Sequence, residues 1–112
     1  MAVTLQTLIE SKQAENAQTT QYTTPSQTRS IIDKFTATNT TVTPATLTVN
    51  LIPSGGSAGS SNVITYSKSI AAGDVYTFPE LIGHTLQPGD IISTIAGTAS
   101  ALTIRASGRE VV

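Results

Sequence analysis

Residues 45–70 read ATLTVNLIPSGGSAGSSNVITYSKSI, and this stretch decides the predicted fold. Apolar and polar residues alternate through its first part: Leu47, Val49 and Leu51 against Thr46, Thr48 and Asn50. A period of two is that of a half-buried antiparallel strand. Residues 53–62 are rich in Gly and Ser and predict a flexible turn, after which a second strand-like run begins at Val63. The stretch therefore predicts a long β-hairpin that turns one face toward a core.

Further strands are predicted on both sides of this hairpin. They are rich in strand-favouring residues, and turn-forming Gly, Pro or Asn separates them. They cover residues 18–24, 29–39, 75–78, 91–96 and 101–107. Seven or eight short strands at this spacing predict an all-β chain: a single small β-sandwich of jelly-roll type over residues 17–112.

Residues 1–16 have a different pattern from the rest of the chain. Leu5, Leu8 and Ile9 recur at helical spacing, and a Thr is followed three residues later by a Glu, as in a capping box. A short helix is one interpretation. An extended arm is the other, because an isolated helix of this length is marginal in water. In either case the segment is predicted to dock, with Leu5, Leu8 and Ile9 as partner contacts.

One residue breaks the alternation of the strand over residues 29–39. Asp33 falls on the same parity as Phe35, where an apolar residue is expected. Asp33 lies at the sheet margin beside Lys34 or Arg29, or it is buried and paired, or a bulge shifts the parity. The sequence leaves these three interpretations open.

Composition argues against several classes of partner. The 112 residues carry six basic and seven acidic side chains, for a net charge of -1 and without a basic cluster, so nucleic-acid binding has no electrostatic support. Cysteine is absent, which excludes disulfides and thiolate metal sites. No apolar run reaches the roughly 18 to 20 residues of a membrane span. We therefore predict one domain that binds neither nucleic acid nor a membrane.

The motifs that suggest chemistry are weak. Residues 55–59 fit the G-x-S-x-G pattern of hydrolases, but that motif needs a helix after the turn and here a strand follows. His84 is the single histidine and has no second histidine or cysteine with which to bind a metal. We predict no enzyme activity, cofactor, metal or small-molecule substrate. Ser54, Gly55 and Gly56 are instead predicted to contact a partner.

Three tyrosines support an alternative function. Tyr22, Tyr66 and Tyr76 lie on predicted strands, and a tyrosine offers an apolar ring with a polar tip, which suits a sugar. They also fit the margins of the core, which is the simpler interpretation. The alternative is a carbohydrate-binding or host-recognition module that holds a glycan through Tyr66 or Tyr76.

Four segments carry a resemblance to a known family. They are residues 30–39 (SIIDKFTATN), 49–56 (VNLIPSGG), 76–83 (YTFPELIG) and 104–110 (IRASGRE). In these segments the chain resembles small virion proteins of tailed phages, and in particular the capsid decoration proteins, also called cement or staple proteins, of short-tailed phages. The resemblance implies a jelly-roll fold and supplies no catalytic residue.

The resemblance also implies a role. A protein of this family is expected to be a homodimer on the outer capsid surface, made and assembled in the host cytoplasm, that clamps neighbouring copies of the major capsid protein. The N-terminal segment and the loop over residues 53–62 are the expected contacts, and icosahedral repetition multiplies a modest interface. A structural component of the neck or tail is another possibility.

Overall fold

Nine β-strands build the protein, and the computed structural model describes residues 2–112. In chain order the strands are β1 (Val3–Gln13), β2 (Thr19–Thr23), β3 (Arg29–Asn39), β4 (Ala45–Ile52), β5 (Val63–Ile70), β6 (Val75–Tyr76), β7 (Thr85–Leu86), β8 (Ile91–Ala96) and β9 (Leu102–Val111). Within residues 2–112 there is no helix of the length and apolarity needed to cross a membrane.

The strands form two antiparallel sheets. The first has the order β1-β9-β3-β6, with β7 also paired to β3, and the second has the order β2-β8-β4-β5. Strands β6 and β7 share one position, since they pair with opposite ends of β3. Counted together, they leave four strands in each sheet in the order of a jelly roll. The predicted all-β sandwich is confirmed, and the ninth strand arises because one edge strand is broken in two.

The core between the sheets is mainly aliphatic. Leu47 and Val49 are fully buried and Leu51 packs against them, which confirms the apolar face predicted for β4. Phe35 and Phe78 meet edge to face, with ring centroids 4.8 Å apart. Such pairs add stability beyond the area that they bury.

The N-terminal segment is a strand, so of the two interpretations left open by the sequence the short helix is wrong. Strand β1 pairs with β9 along its length and forms one edge of the first sheet. Two bulges in β1 allow the adjacent Leu8 and Ile9 both to reach the core, where they are 5% and 2% exposed. Pairing and burial outweigh the marginal stability of a short helix. The sandwich therefore includes residues 3–13 and is not confined to residues 17–112.

A bulge also explains Asp33. The register between β3 and β9 shifts between Ile32 and Lys34, which accommodates Asp33 as an extra residue. Its carboxylate accepts two hydrogen bonds of 2.9 Å from the guanidinium of Arg109. This contact lowers the pKa of Asp33 and keeps the carboxylate ionised.

Residues 77–84 interrupt the β6–β7 edge and cover the core. Phe78 and Leu81 in this segment are fully buried, and the N–H of Leu81 donates to the carbonyl of Phe78 over 3.0 Å. Two further backbone hydrogen bonds, of 2.8 and 3.1 Å, join the segment to Ile32 of β3. The segment is a hydrogen-bonded turn that closes this side of the sandwich.

Candidate functional site

Leu5 and residues 54–56, which are predicted partner contacts, lie at one end of the sandwich, here called the terminal end. It is formed by both ends of the chain and by three loops, at residues 2–7, 24–28, 53–62, 87–90 and 111–112. The N–H of Gly89 donates to the carbonyl of Thr24 over 2.9 Å, and the N–H of Ser54 donates to the carboxylate of Asp90 over 3.1 Å. These bonds connect the loops to one another.

A tyrosine joins the two sheets beneath the terminal end. The hydroxyl of Tyr22 lies 2.6 Å from the hydroxyl of Ser30 and donates to the carboxylate of Glu110, also over 2.6 Å. Burial and the neighbouring carboxylate raise the pKa of Tyr22 to about 12. Since Tyr22 lies in β2 and its partners lie in β3 and β9, the contact fixes one sheet against the other.

Strand β1 presents free backbone groups at the terminal end. Ala2 and Val112 exchange two backbone hydrogen bonds, of 3.2 and 3.0 Å. Hydrogen-bonded and non-hydrogen-bonded pairs alternate along an antiparallel ladder. The N–H and C=O groups of Val3, Leu5 and Thr7 therefore point away from β9, toward the side where β1 has no strand neighbour within residues 2–112. We call this row of groups the β1 edge.

The side chains at the β1 edge are uncharged. Leu5 is 82% exposed and Val3 is 60% exposed, and the first charged residue of β1 is Glu10. Across the ladder, Leu5 is paired with Arg109, whose guanidinium is held by Asp33. The β1 edge thus combines free hydrogen-bonding groups with an exposed apolar side chain.

Two of the predicted partner contacts belong to the core. The side chains of Leu8 and Ile9 are covered by the chain itself, so the prediction that they contact a partner is corrected. Their apolar character is satisfied within the sandwich. Leu5 is the one member of that group whose side chain is accessible to a partner.

The other predicted contacts also lie at the terminal end. Ser54, Gly55 and Gly56 are exposed and lie near the start of the loop between β4 and β5. The N–H of Gly56 donates to the carbonyl of Pro53 over 2.9 Å, and Gly55 has φ +80°, which glycine adopts without strain. The fold thus brings these residues to the same end as Leu5.

The rest of this loop is anchored on the outer face of the second sheet. The side-chain amide of Asn50 donates to Asn62 Oδ1 over 2.7 Å and to the carbonyl of Gly59 over 3.2 Å. The amide of Asn62 in turn donates to the carbonyl of Ser57 over 2.8 Å. The Gly- and Ser-rich composition alone predicted a flexible turn and did not reveal these bonds.

A groove of about 670 Å³ lies on the outer face of the second sheet, lined by this anchored loop and by residues of β4, β5 and β8. We call it the Tyr66 groove, because Tyr66, which is 79% exposed, lines one side of it. Tyr76, the other predicted sugar contact, is not free in this way: its ring packs 4.6 Å from that of Phe78 and its hydroxyl donates to Glu80 over 2.8 Å. That hydrogen bond raises the pKa of Tyr76.

Within residues 2–112 no group of three or more His, Cys, Asp or Glu residues is placed to hold a metal ion. His84 is the last residue of the turn over residues 77–84 and is exposed. Its carbonyl accepts a backbone hydrogen bond from Ile32, so the structure gives this residue a part in joining the turn to β3.

Comparison with known proteins supports the fold assignment. No protein-family model and no curated protein matches the chain. Among solved structures, it is similar to a chain in the structure of infectious bursal disease virus Gx strain, with a TM-score of 0.51 and 12% identity over 97% of this chain and 32% of that one. A chain of the Gt strain aligns over 97% and 30% with 12% identity and a TM-score of 0.38. The protein spans about a third of the viral chains that it matches.

Proposed function

We propose that this chain is a structural protein of a virion, which binds the outer surface of a phage capsid and clamps neighbouring major capsid proteins. The observation that carries the proposal is the jelly-roll strand order, which aligns over 97% of the chain with part of a virus structure. Jelly rolls occur in viral capsid proteins, as well as in lectins and cupins. The resemblance at residues 30–39 and 76–83 supports the narrower assignment to phage decoration. The proposed role is structural and includes no catalysis.

In this proposal the β1 edge supplies the main contact with the capsid. An extended segment added to an open sheet edge gains backbone hydrogen bonds, and the neighbouring side chains add specificity. Val3, Leu5 and Thr7 offer the backbone groups, and the Leu5 side chain offers apolar area. The partner is an extended segment of the major capsid protein. Residues 54–56 contribute a second contact from the same end.

Two contacts at one end suit a clamp. A subunit that engages two neighbouring capsid proteins makes the second contact intramolecular, which raises avidity without further interface. Self-association as a homodimer, implied by the resemblance, would present two such ends. Sedimentation equilibrium of the purified protein tests that part of the proposal separately.

A proline substitution tests the β1 edge directly. The N–H of Leu5 points away from β9, so Leu5→Pro removes a donor from the free side and leaves the β1–β9 ladder intact. We expect binding to capsids that lack the protein to fall about tenfold or more. Leu5→Ala removes only the side chain and should have a smaller effect. Val42→Ala, an exposed substitution in the loop between β3 and β4, is the control and should bind normally.

Capsid occupancy measured by gel densitometry gives the result, with circular dichroism to show that each variant is folded. Unchanged occupancy of folded Leu5→Pro would refute the role of the β1 edge. The copy number per virion tests the location. Copies on the order of hundreds support shell decoration, whereas about six or twelve support a ring in the neck or tail.

A further inference from the structure

We infer that the Tyr66 groove is a binding site for a neutral saccharide, an activity separate from attachment to a capsid. The groove lies on the outer face of the second sheet, whereas the β1 edge belongs to the first sheet. Its volume of about 670 Å³ is within the usual range for small-ligand sites, about 300–1,000 Å³. A ligand there would leave the β1 edge, the main proposed capsid contact, free.

A β-bulge holds Tyr66 at the groove. The register between β4 and β5 shifts so that Tyr66 and Ser67 both stand opposite Thr48. Ser67 has φ +45°, and its N–H donates to the hydroxyl of Thr48 over 2.9 Å. Bulges at sheet edges re-aim side chains and are common beside binding sites. The backbone therefore directs the ring of Tyr66 outward beside the groove.

The three tyrosines differ in their exposure and in their hydrogen bonds. Tyr22 and Tyr76 have hydroxyls that donate to carboxylates, and both pack against the core. Tyr66 is 79% exposed, so its ring, which has an apolar face and a polar tip, is open to solvent. Tyr66 is thus the one tyrosine whose ring face is available for stacking.

The lining of the groove selects the class of ligand. It contains the side-chain amide of Gln18, the hydroxyls of Ser60 and Ser67 and the apolar side chain of Ile95, and none of its residues is charged. Phosphates and carboxylates are generally held by charged donors, and hard cations by carboxylates, which the lining does not offer. A pyranose ring has an apolar C–H face for the tyrosine and uncharged hydroxyls for amides and hydroxyls. The lining therefore fits a neutral sugar.

The wall of the groove is formed before any ligand arrives. Asn50 and Asn62 anchor the loop through hydrogen bonds of 2.7 to 3.2 Å, and Asn50 is buried. A site that needs no ordering on binding avoids the entropy that a mobile loop would lose. Even a small contact with one or two sugar rings can then give measurable affinity.

The test is an NMR titration of the ¹⁵N-labelled full chain. The probes are neutral tri- and tetrasaccharides of glucose, galactose, mannose and N-acetylglucosamine, together with sulfated counterparts. We expect at least one neutral probe to shift the amides of Thr48, Tyr66 and Ser67 saturably, with a Kd on the order of 1 mM. Tyr66→Ala should weaken that binding about tenfold, whereas Tyr66→Phe keeps the ring and most of the affinity. Val42→Ala is the matched control, since it removes an exposed apolar side chain that does not line the groove.

Several results would overturn the inference. One is the absence of saturable shifts with every neutral probe, and another is equal binding by Tyr66→Ala and the unmodified chain. Binding confined to sulfated probes would assign the groove to anions. Shifts of the same amides on simple concentration of the protein would assign it to a second copy of the chain. Because Tyr66 is exposed, both Tyr66 variants should keep the urea midpoint of the unmodified chain. A loss of saccharide binding would then be due to a change in the groove and not to unfolding.

Discussion

The two edges of the first sheet are built in opposite ways. At one edge the strand position is divided into β6 and β7, each of two residues, and the turn over residues 77–84 lies between them with Phe78 and Leu81 in the core. At the other edge β1 runs for eleven residues and leaves the backbone groups of Val3, Leu5 and Thr7 free.

The two edges differ in how they are protected against pairing with other chains. Natural sheets protect their edges with short strands, bulges, charges or covering segments, because an open edge pairs with other chains. The β6–β7 edge has two of these protections. In β1 the bulges and the ion pair of Lys12 with Glu15, 2.8 Å long, come only in or after its second half. The first half of β1 has none of these protections, and this is the segment to which we assign the proposed partner contact.

The largest expected loss of stability comes from a substitution at the protected β6–β7 edge. Phe78→Ala removes a fully buried ring that packs against Phe35 and Tyr76, so the free energy of unfolding should fall by about 3–5 kcal/mol. Urea denaturation followed by circular dichroism gives the value. Ile82→Ala, in the same turn but 41% exposed, should lose much less. Equal losses in the two variants would show that the turn does not close the core.

The next prediction compares the stability contributed by a buried and an exposed residue of β1. Ile9→Ala should lower the free energy of unfolding by about 2–5 kcal/mol, because Ile9 is buried in the core. Leu5→Ala, in the same strand, should change it by less than about 0.5 kcal/mol, because Leu5 is exposed. Thermal and urea unfolding of both variants measure the contrast. A large loss for Leu5→Ala would mean that Leu5 is covered within the chain.

A smaller effect sharpens the assignment of the backbone groups. The alternation of the ladder directs the N–H of Gln6 toward β9 and that of Leu5 away from it. Gln6→Pro should therefore destabilise the chain by about 1–3 kcal/mol more than Leu5→Pro does. Hydrogen exchange of the unmodified chain provides a second measurement, in which the amides of Thr4 and Gln6 exchange more slowly than that of Leu5. The reverse order of exchange would show that the N–H of Leu5 points toward β9, which would contradict the proposed β1 edge.

The smallest effect concerns the ion pair beside the β1 edge. Arg109 lowers the pKa of Asp33 in the folded chain, so the pair stabilises the fold above the unfolded pKa of about 3.9 and is lost as the pH falls through the lowered folded value. Asp33→Asn should lower the urea midpoint slightly at neutral pH and match the unmodified chain in strong acid. A difference between the two chains that persists in strong acid would mean that the carboxylate charge is not its source.

The sequence predicted what depends on short-range pattern. The alternation of Leu47 and Val49 identified the inner face of β4 because side chains on a strand repeat every two residues. Many such strands in one short chain also indicated a sandwich. The candidate residues Ser54 and Leu5 are exposed, but their position at a common end follows from pairings between distant strands.

The sequence could not reveal what depends on those distant pairings. The spacing of Leu5, Leu8 and Ile9 matches that of a helix. In the structure the segment is a strand, and bulges in β1 bring the adjacent side chains of Leu8 and Ile9 to the core. The bulge at Asp33 was one of three open interpretations, and only the register with β9 decides among them. The bulge beside Tyr66 has no sequence signal, since its residue of positive φ is Ser67 and not glycine.

The pairing of β1 with β9 also sets the order of events during synthesis. Strand β1 leaves the ribosome before β9, and it finds its partner only when residues 102–111 have emerged. Until then Leu8 and Ile9 have no core to enter, and the nascent chain carries an unpaired apolar strand. Contacts between residues so far apart slow the search for the native state, and all-β domains of this kind fold in milliseconds to seconds. We expect the first sheet to be the last part of the protein to form.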